Sequence, residues 1–190
     1  MRLTVGKYHV LVELGRPGRR ASERGGGEGQ VVEWRWSYLS QWATSLAHVA
    51  AWRERAGAGH RHLLIGLQAV AEPVLSRYWR DGRSLSQLVH DDLEWRALPE
   101  QLLGWARGRH GRRSDRTARS VPDALDALVE AAAAAALARG GKGVVVGPED
   151  LLLQIAEGGP VAATVSASGL DLPRLRRAVA DRHGRTGGQL

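Results

Sequence analysis

The chain contains no cysteine. That absence excludes disulfides, thiolate nucleophiles and cysteine-based zinc sites. There is no phenylalanine either, so aromatic bulk falls mainly to seven tryptophans, accompanied by three tyrosines. No uninterrupted apolar run approaches the ~18 residues of a membrane-crossing helix, so no span is expected. The N-terminus shows no apolar stretch followed by a small-residue cleavage site, which argues against a signal peptide. Together these absences lead to the expectation of a cytoplasmic protein. No Gly-x-Ser-x-Gly elbow surrounds any serine. No glycine-rich phosphate loop is present, and Gly25-Gly26-Gly27 has no following lysine, so nucleotide hydrolysis has no machinery and no cofactor is expected.

Lysine is nearly missing as well, at Lys7 and Lys142 alone, so the net charge of +7 is an arginine charge. Six arginines fall at 107, 109, 112, 113, 116 and 119. Such a block is either a solvated linker or a nucleic-acid contact. No aromatic residue interleaves with it to stack on bases, so a linker is the preferred reading and nucleic acid is not the expected partner. A length of 190 residues allows one good core, or a core and a small appendage, and 43% hydrophobic content is ordinary for a globular chain.

Tyr8, Val10, Val12 and Leu14 alternate with polar or opposite-facing neighbours at the period of a strand, and Val32, Trp34 and Trp36 repeat that period. The Gly- and Arg-rich stretch from Gly15 to Gly29 separates them, so the pattern predicts an N-terminal hairpin with a long connection. From Ser37 the period becomes helical, with Leu39, Trp42, Leu46, Val49 and Arg53 on one stripe. Gly57 and Gly59 end that helix, and His62–Leu67 starts a buried one. Pro73 suits a helical first turn, Asp81-Gly82 marks a break, and helices resume near Leu85–Leu93 and Pro99–Arg107. Pro122 opens a further helix whose buried face is Leu125, Leu128, Val129 and Ala132. Six consecutive alanines, Ala131–Ala136, are strong helix formers within it. Gly140-Gly141 stops this helix, Pro148 opens the next with Glu149 and Asp150 against the positive end of its dipole, and Gly158-Gly159 stops it. Pro160 then opens a short helix, and Asp171 caps the last.

Leu63-Leu64-Ile65-Gly66-Leu67 and Leu151-Leu152-Leu153-Gln154-Ile155 each follow a helix that breaks at glycine and precede shorter helices, the mark of an internal repeat. The run Gly147-Pro148-Glu149-Asp150-Leu151-Leu152-Leu153, then Pro160-Val161-Ala162-Ala163, then Gly169-Leu170-Asp171-Leu172 resembles the repeat of the N-terminal substrate-receiving domain of Clp-family unfoldases. Residues 121–183 match it in order and spacing. Residues 37–106 match only at His62-Leu63-Leu64, with an insertion around Ala71–Gln87. The resemblance implies a mainly α, pseudo-twofold bundle of two four-helix repeats. Residues 1–36 would form the hairpin extension, 107–120 the linker and 184–190 a tail without order. It further implies a stand-alone receptor without an attached AAA+ motor. Expected ligands are peptides, adaptor proteins, phosphorylated arginines or, as for actinobacterial relatives, cyclic-peptide antibiotics, with Clp protease components as further partners. The family's motif carboxylate pairs with a phosphoarginine guanidinium. That residue corresponds to Glu149 in the second repeat, whereas Arg61 stands at the first-repeat position and would repel a guanidinium.

Four residues are therefore candidate ligand contacts: Trp36, Trp79, Trp95 and Glu149. Each has a plainer role, the tryptophans as core filling and Glu149 as a partner of the helix dipole. His90, Asp91 and Asp92 would supply acid–base chemistry if the fold had been reused as a small-molecule enzyme or binding protein. No other catalytic residues stand out. His60 and His62 sit two apart on a helix start with no convergent third ligand, so no metal site is expected.

Overall fold

The structure is a computed structural model that describes the backbone of residues 2–5 and 8–11, and residues 34–110, 124–141 and 144–186. The chain divides into two units, residues 1–31 and 32–190. In the first unit, β1 (Arg2–Val5) pairs antiparallel with β2 (Tyr8–Leu11), with Arg2 opposite Leu11 and Val5 opposite Tyr8. Tyr8–Leu11 was expected to pair with Val32–Trp36 across the long glycine-rich connection. Its partner is instead the segment only two residues upstream, a separation for which hairpin closure is far less costly in entropy.

The second unit is mainly helical. Its first strand, β3 (Arg35–Trp36), runs parallel to β4 (Val145–Val146), so Trp36 belongs to this unit rather than to a hairpin. The helix α1 (Tyr38–Glu54) begins at Ser37, whose side chain accepts from the Ser40 N–H at 3.2 Å. Ser40 is itself buried and donates its hydroxyl to the Val146 carbonyl at 3.0 Å, which ties α1 to β4. The buried face of α1 is Ser40, Ala43, Leu46, Ala47 and Ala50, while Leu39 and Trp42 of the expected stripe lie only half-buried. This alanine-rich face exists because α2 (His60–Leu75) packs very closely. A Cβ on Gly66 would overlap the Ala43 carbonyl and come within 3.1 Å of the Ala47 nitrogen.

The helix α2 also passes through Pro73, which sits inside its last turn and does not start a new helix. The chain then tightens into a 3₁₀ turn, Ser76–Tyr78, and reaches a short helical segment made of α3 (Leu85–Gln87) and a π turn at Leu88–Asp92. The first half closes with α4 (Pro99–His110). The second half consists of α5 (Ala124–Gly140), α6 (Pro148–Glu157), α7 (Ala162–Ala167) and α8 (Leu172–Thr186). Asp171 caps α8 by accepting from the Arg174 N–H at 3.1 Å. One core runs through both halves, from Leu46, Leu63 and Ile65 to Leu151, Leu152 and Leu175. Among the described residues no helix is long and apolar enough to cross a membrane.

Besides the β3–β4 pairing and the Ser40–Val146 hydrogen bond, ties between the halves outside that core include the following two. The Tyr78–Arg80 segment lies along the Gly169–Asp171 loop. Arg80 N–H donates to the Gly169 carbonyl at 3.0 Å, Asp171 N–H to the Tyr78 carbonyl at 2.7 Å, and the Arg80 guanidinium pairs with Asp171 at 3.0 Å. The Arg80 hydrogen bond, followed by the Arg174 N–H, holds the Asp171 carboxyl below its ordinary range. The second tie is His60, whose ring lies against Gly159 where any Cβ would collide with it. Burial there pushes the His60 imidazole down from its ordinary value.

Candidate functional site

The site grows out of the first turn of α6. Pro148 at the first helical position gives up only an N–H that would have had no intrahelical partner. Two positions on, the Asp150 carboxylate accepts from the Gly147 N–H at 2.8 Å. Glu149 and Asp150 are thereby drawn inward, to 8% and 1% exposure. Buried carboxylates demand cations, and the chain supplies them from three other elements. Glu149 accepts from Arg77 Nη2 at 3.1 Å and from Arg182 Nη1 at 2.6 Å. The other nitrogen of the Arg182 fork reaches Asp150, which also meets Arg139 at 3.3 Å and His183 Nε2 at 2.8 Å. Stripping either carboxylate of all its partners would cost about 3–5 kcal/mol, because a charge would be left buried and unpaired.

Gly147 completes the arrangement. A side chain there would occupy the place of the Arg182 guanidinium, so Gly147, Glu149 and Asp150 together form a cradle for one planar cation. On the Glu149 side of this cradle opens a cleft of about 350 Å³, lined by Arg77, Tyr78, Glu149, Arg174, Ala178, Asp181 and Arg182. Arginine keeps its proton at all ordinary pH, so these groups bind and orient a ligand without shuttling protons. The rim arginines suit an anionic group, and the Glu149 floor suits a guanidinium.

The N-terminus of α2 carries a different set of groups. His62 Nδ1 accepts from the Gly59 N–H at 3.2 Å, as Asp150 does from Gly147. Arg61, beside it, donates from Nη1 to both carboxylate oxygens of Glu54 of α1, at 2.5 and 2.6 Å, and from Nη2 to the Leu93 carbonyl at 2.9 Å. His62 Nε2 lies 2.9 Å from the same carboxylate. Burial raises the Glu54 carboxyl, but the hydrogen bonds and charges of Arg61 and His62 outweigh burial and leave it below its ordinary value. Arg61 is thus bound by a carboxylate of its own chain. The His60–His62 pair diverges, one ring against Gly159 and the other against Glu54. Among the described residues no three metal-capable side chains come together.

The tryptophans expected at a binding surface lie elsewhere. Trp79 is 7% exposed, with its indole N–H donating to Ser168 Oγ at 2.9 Å. Trp95 is 6% exposed, edge-on to Trp105 at 6.4 Å between ring centroids. Both indoles belong to the hydrophobic core. Trp36 is half-buried against Trp34 at 4.9 Å. The most exposed large indole is Trp52, at 53%. His90, Asp91 and Asp92 do not converge: His90 Nδ1 meets the Trp95 carbonyl at 2.5 Å, while both aspartates are exposed on the rim of a smaller cavity of about 150 Å³. Of the expected ligand contacts, the structure places Glu149 on an open cleft. Sequence reasoning missed Arg77, from the 3₁₀ turn, and Arg174 and Arg182, from α8, none of which shares a local spacing with Glu149. The buried Glu149-Asp150 pair was the one signal that cations had to arrive from somewhere.

Comparison of the chain with family models, with curated proteins and with solved structures finds no match.

Proposed function

We propose that this protein is a non-catalytic receptor of the Clp N-domain type that takes a peptide, an adaptor protein or a cyclic peptide at the Glu149 cleft. The observation that carries this reading is the position of Glu149: the motif carboxylate floors an open cleft, where a capping role alone would not require a cleft at all. The ordering of the halves supports it. The long helices α1 and α5 each have 17 residues, and each is followed by a helix whose third residue caps its own N-terminal glycine. Each half then has a short helical segment, a residue of positive φ (Glu94 and Gly169) and a closing helix. Pseudo-twofold packing of two Clp-type repeats accounts for this parallel.

The ligand differs from that of the family pattern. Guanidiniums of the same chain already lie on Glu149, and Arg61 replaces the first-half carboxylate. The accessible chemistry is therefore the arginine rim, and a ligand offers it an acidic side chain or a phosphoryl group. A receptor of this kind competes with an unfoldase for substrates or adaptors, or sequesters a peptide antibiotic aimed at it. Fluorescence anisotropy with labelled acidic and phosphoarginine peptides tests the reading. Arg174→Gln, on the exposed rim, should weaken binding about tenfold or more, the worth of one charge-assisted hydrogen bond. Affinities that ignore both Arg174→Gln and Glu149→Gln would place the ligand elsewhere and sink the proposal.

A further inference from the structure

We infer that Arg182 is an internal ligand, occupying from within the chain a guanidinium site that opens only when the end of α8 lets go. The inference rests on the reading of Glu149 as the floor of a binding cleft. Three features of the cradle point to a receptor for a planar cation. Its two carboxylates present oxygens to both nitrogens of one guanidinium fork, with Arg182 Nη1 on Glu149 at 2.6 Å and Nη2 on Asp150. Its third wall is Gly147, where a β-carbon would exclude the guanidinium. Its Glu149 side opens on the cleft, which Arg182 also lines, so a guanidinium arriving from solvent meets Glu149 first, with Asp150 buried behind it.

The occupant is built to leave at small loss. Arg77, from the 3₁₀ turn, already holds the second oxygen of Glu149 at 3.1 Å, and Arg139 and His183 hold Asp150. When Arg182 departs, neither carboxylate is left without a cation, and the vacancy has the shape of one guanidinium. Exchanging one guanidinium for another conserves the paired hydrogen bonds, so internal and external groups compete nearly on equal chemistry. The internal one prevails through its tether, which gives it a high effective concentration. Arg182 is in this sense an autoinhibitory contact, and anything that loosens α8 turns an anion-reading cleft into one that takes a phosphoarginine or an arginine side chain entire.

Ethylguanidinium, which reproduces the head of the removed side chain, is the direct probe, with ethylammonium as the control for charge alone. Thermal melting of full-length Arg182→Ala should show a saturable rise with ethylguanidinium, none with ethylammonium, and none once Glu149→Gln is added. The wild-type protein should show no rise, and Arg182→Ala should bind a phosphoarginine peptide at least tenfold more tightly than wild type. Equal response of wild type and Arg182→Ala would overturn the internal-ligand role while leaving the cleft reading intact. Failure of both proteins to bind either probe, with circular dichroism showing Arg182→Ala folded, would remove both. Arg182→Lys keeps the charge and loses the fork. It should show the same gain for ethylguanidinium, and covers the case in which the alanine variant does not fold.

Discussion

Gly66 shows how one residue sets the distance between two helices. Alanine normally favours a helix interior over glycine by roughly 0.5–1 kcal/mol. Here the added Cβ would overlap the Ala43 carbonyl, a backbone atom that cannot rotate away. Overpacking of this kind costs about 1–3 kcal/mol, so it outweighs the propensity gain. Gly66→Ala should lower the midpoint of urea unfolding, and an unchanged or higher midpoint would show that α1 and α2 are less tightly apposed. Glu54 governs a second residue-scale effect. Its folded-state carboxyl lies below the ordinary value of 4.5. The unfolded chain therefore takes up this proton first, and the stabilising contribution, complete above that value, is lost as pH falls through the folded one. Glu54→Gln should flatten the acid side of the stability profile below about pH 5, read from urea midpoints across a pH series.

At the scale of elements, what was legible in the sequence followed punctuation. Pro148 opens α6, Gly158-Gly159 follows its end, and Asp171 caps α8, because each acts through its own backbone chemistry and needs no distant partner. Pro73 misled for the converse reason. It lacks an N–H wherever it stands, and the packing of α2 on α1 outweighs the one lost hydrogen bond near the helix end. The strand pattern identified Tyr8–Leu11 but gave it the wrong partner, since alternation carries no information about pairing. The end of α1 offers a direct test of element punctuation. Arg55 adopts φ 55°, a left-handed conformation that glycine takes readily. Arg55→Gly should therefore stabilise the fold by about 0.5–1 kcal/mol, net of the extra entropy glycine loses. A lower thermal midpoint would mean that the Arg55 side chain contributes more than its backbone strain costs.

For the whole molecule, the candidate site depends on contacts that no local pattern encodes. Glu149 was visible through its motif, but its cations come from residues 72 positions before it and 33 after it. Trp79 and Trp95 are buried and Trp36 is half-buried, a distinction that the abundance of tryptophan in the sequence does not carry. Trp79 resolves this at molecular scale, since its indole lies in the tie between halves, hydrogen-bonded to Ser168. The proposed function requires that the cleft beside Glu149 receive a ligand from the Clp system. Affinity capture from host lysate and metabolite extract, run in parallel with wild-type protein and Arg174→Glu and read by mass spectrometry, tests it most directly. The wild-type protein should retain Clp components, their substrates or a macrocyclic peptide, and the charge-reversed rim should lose them. Retention of an unrelated metabolite alone, or of the same partners by both proteins, would contradict it.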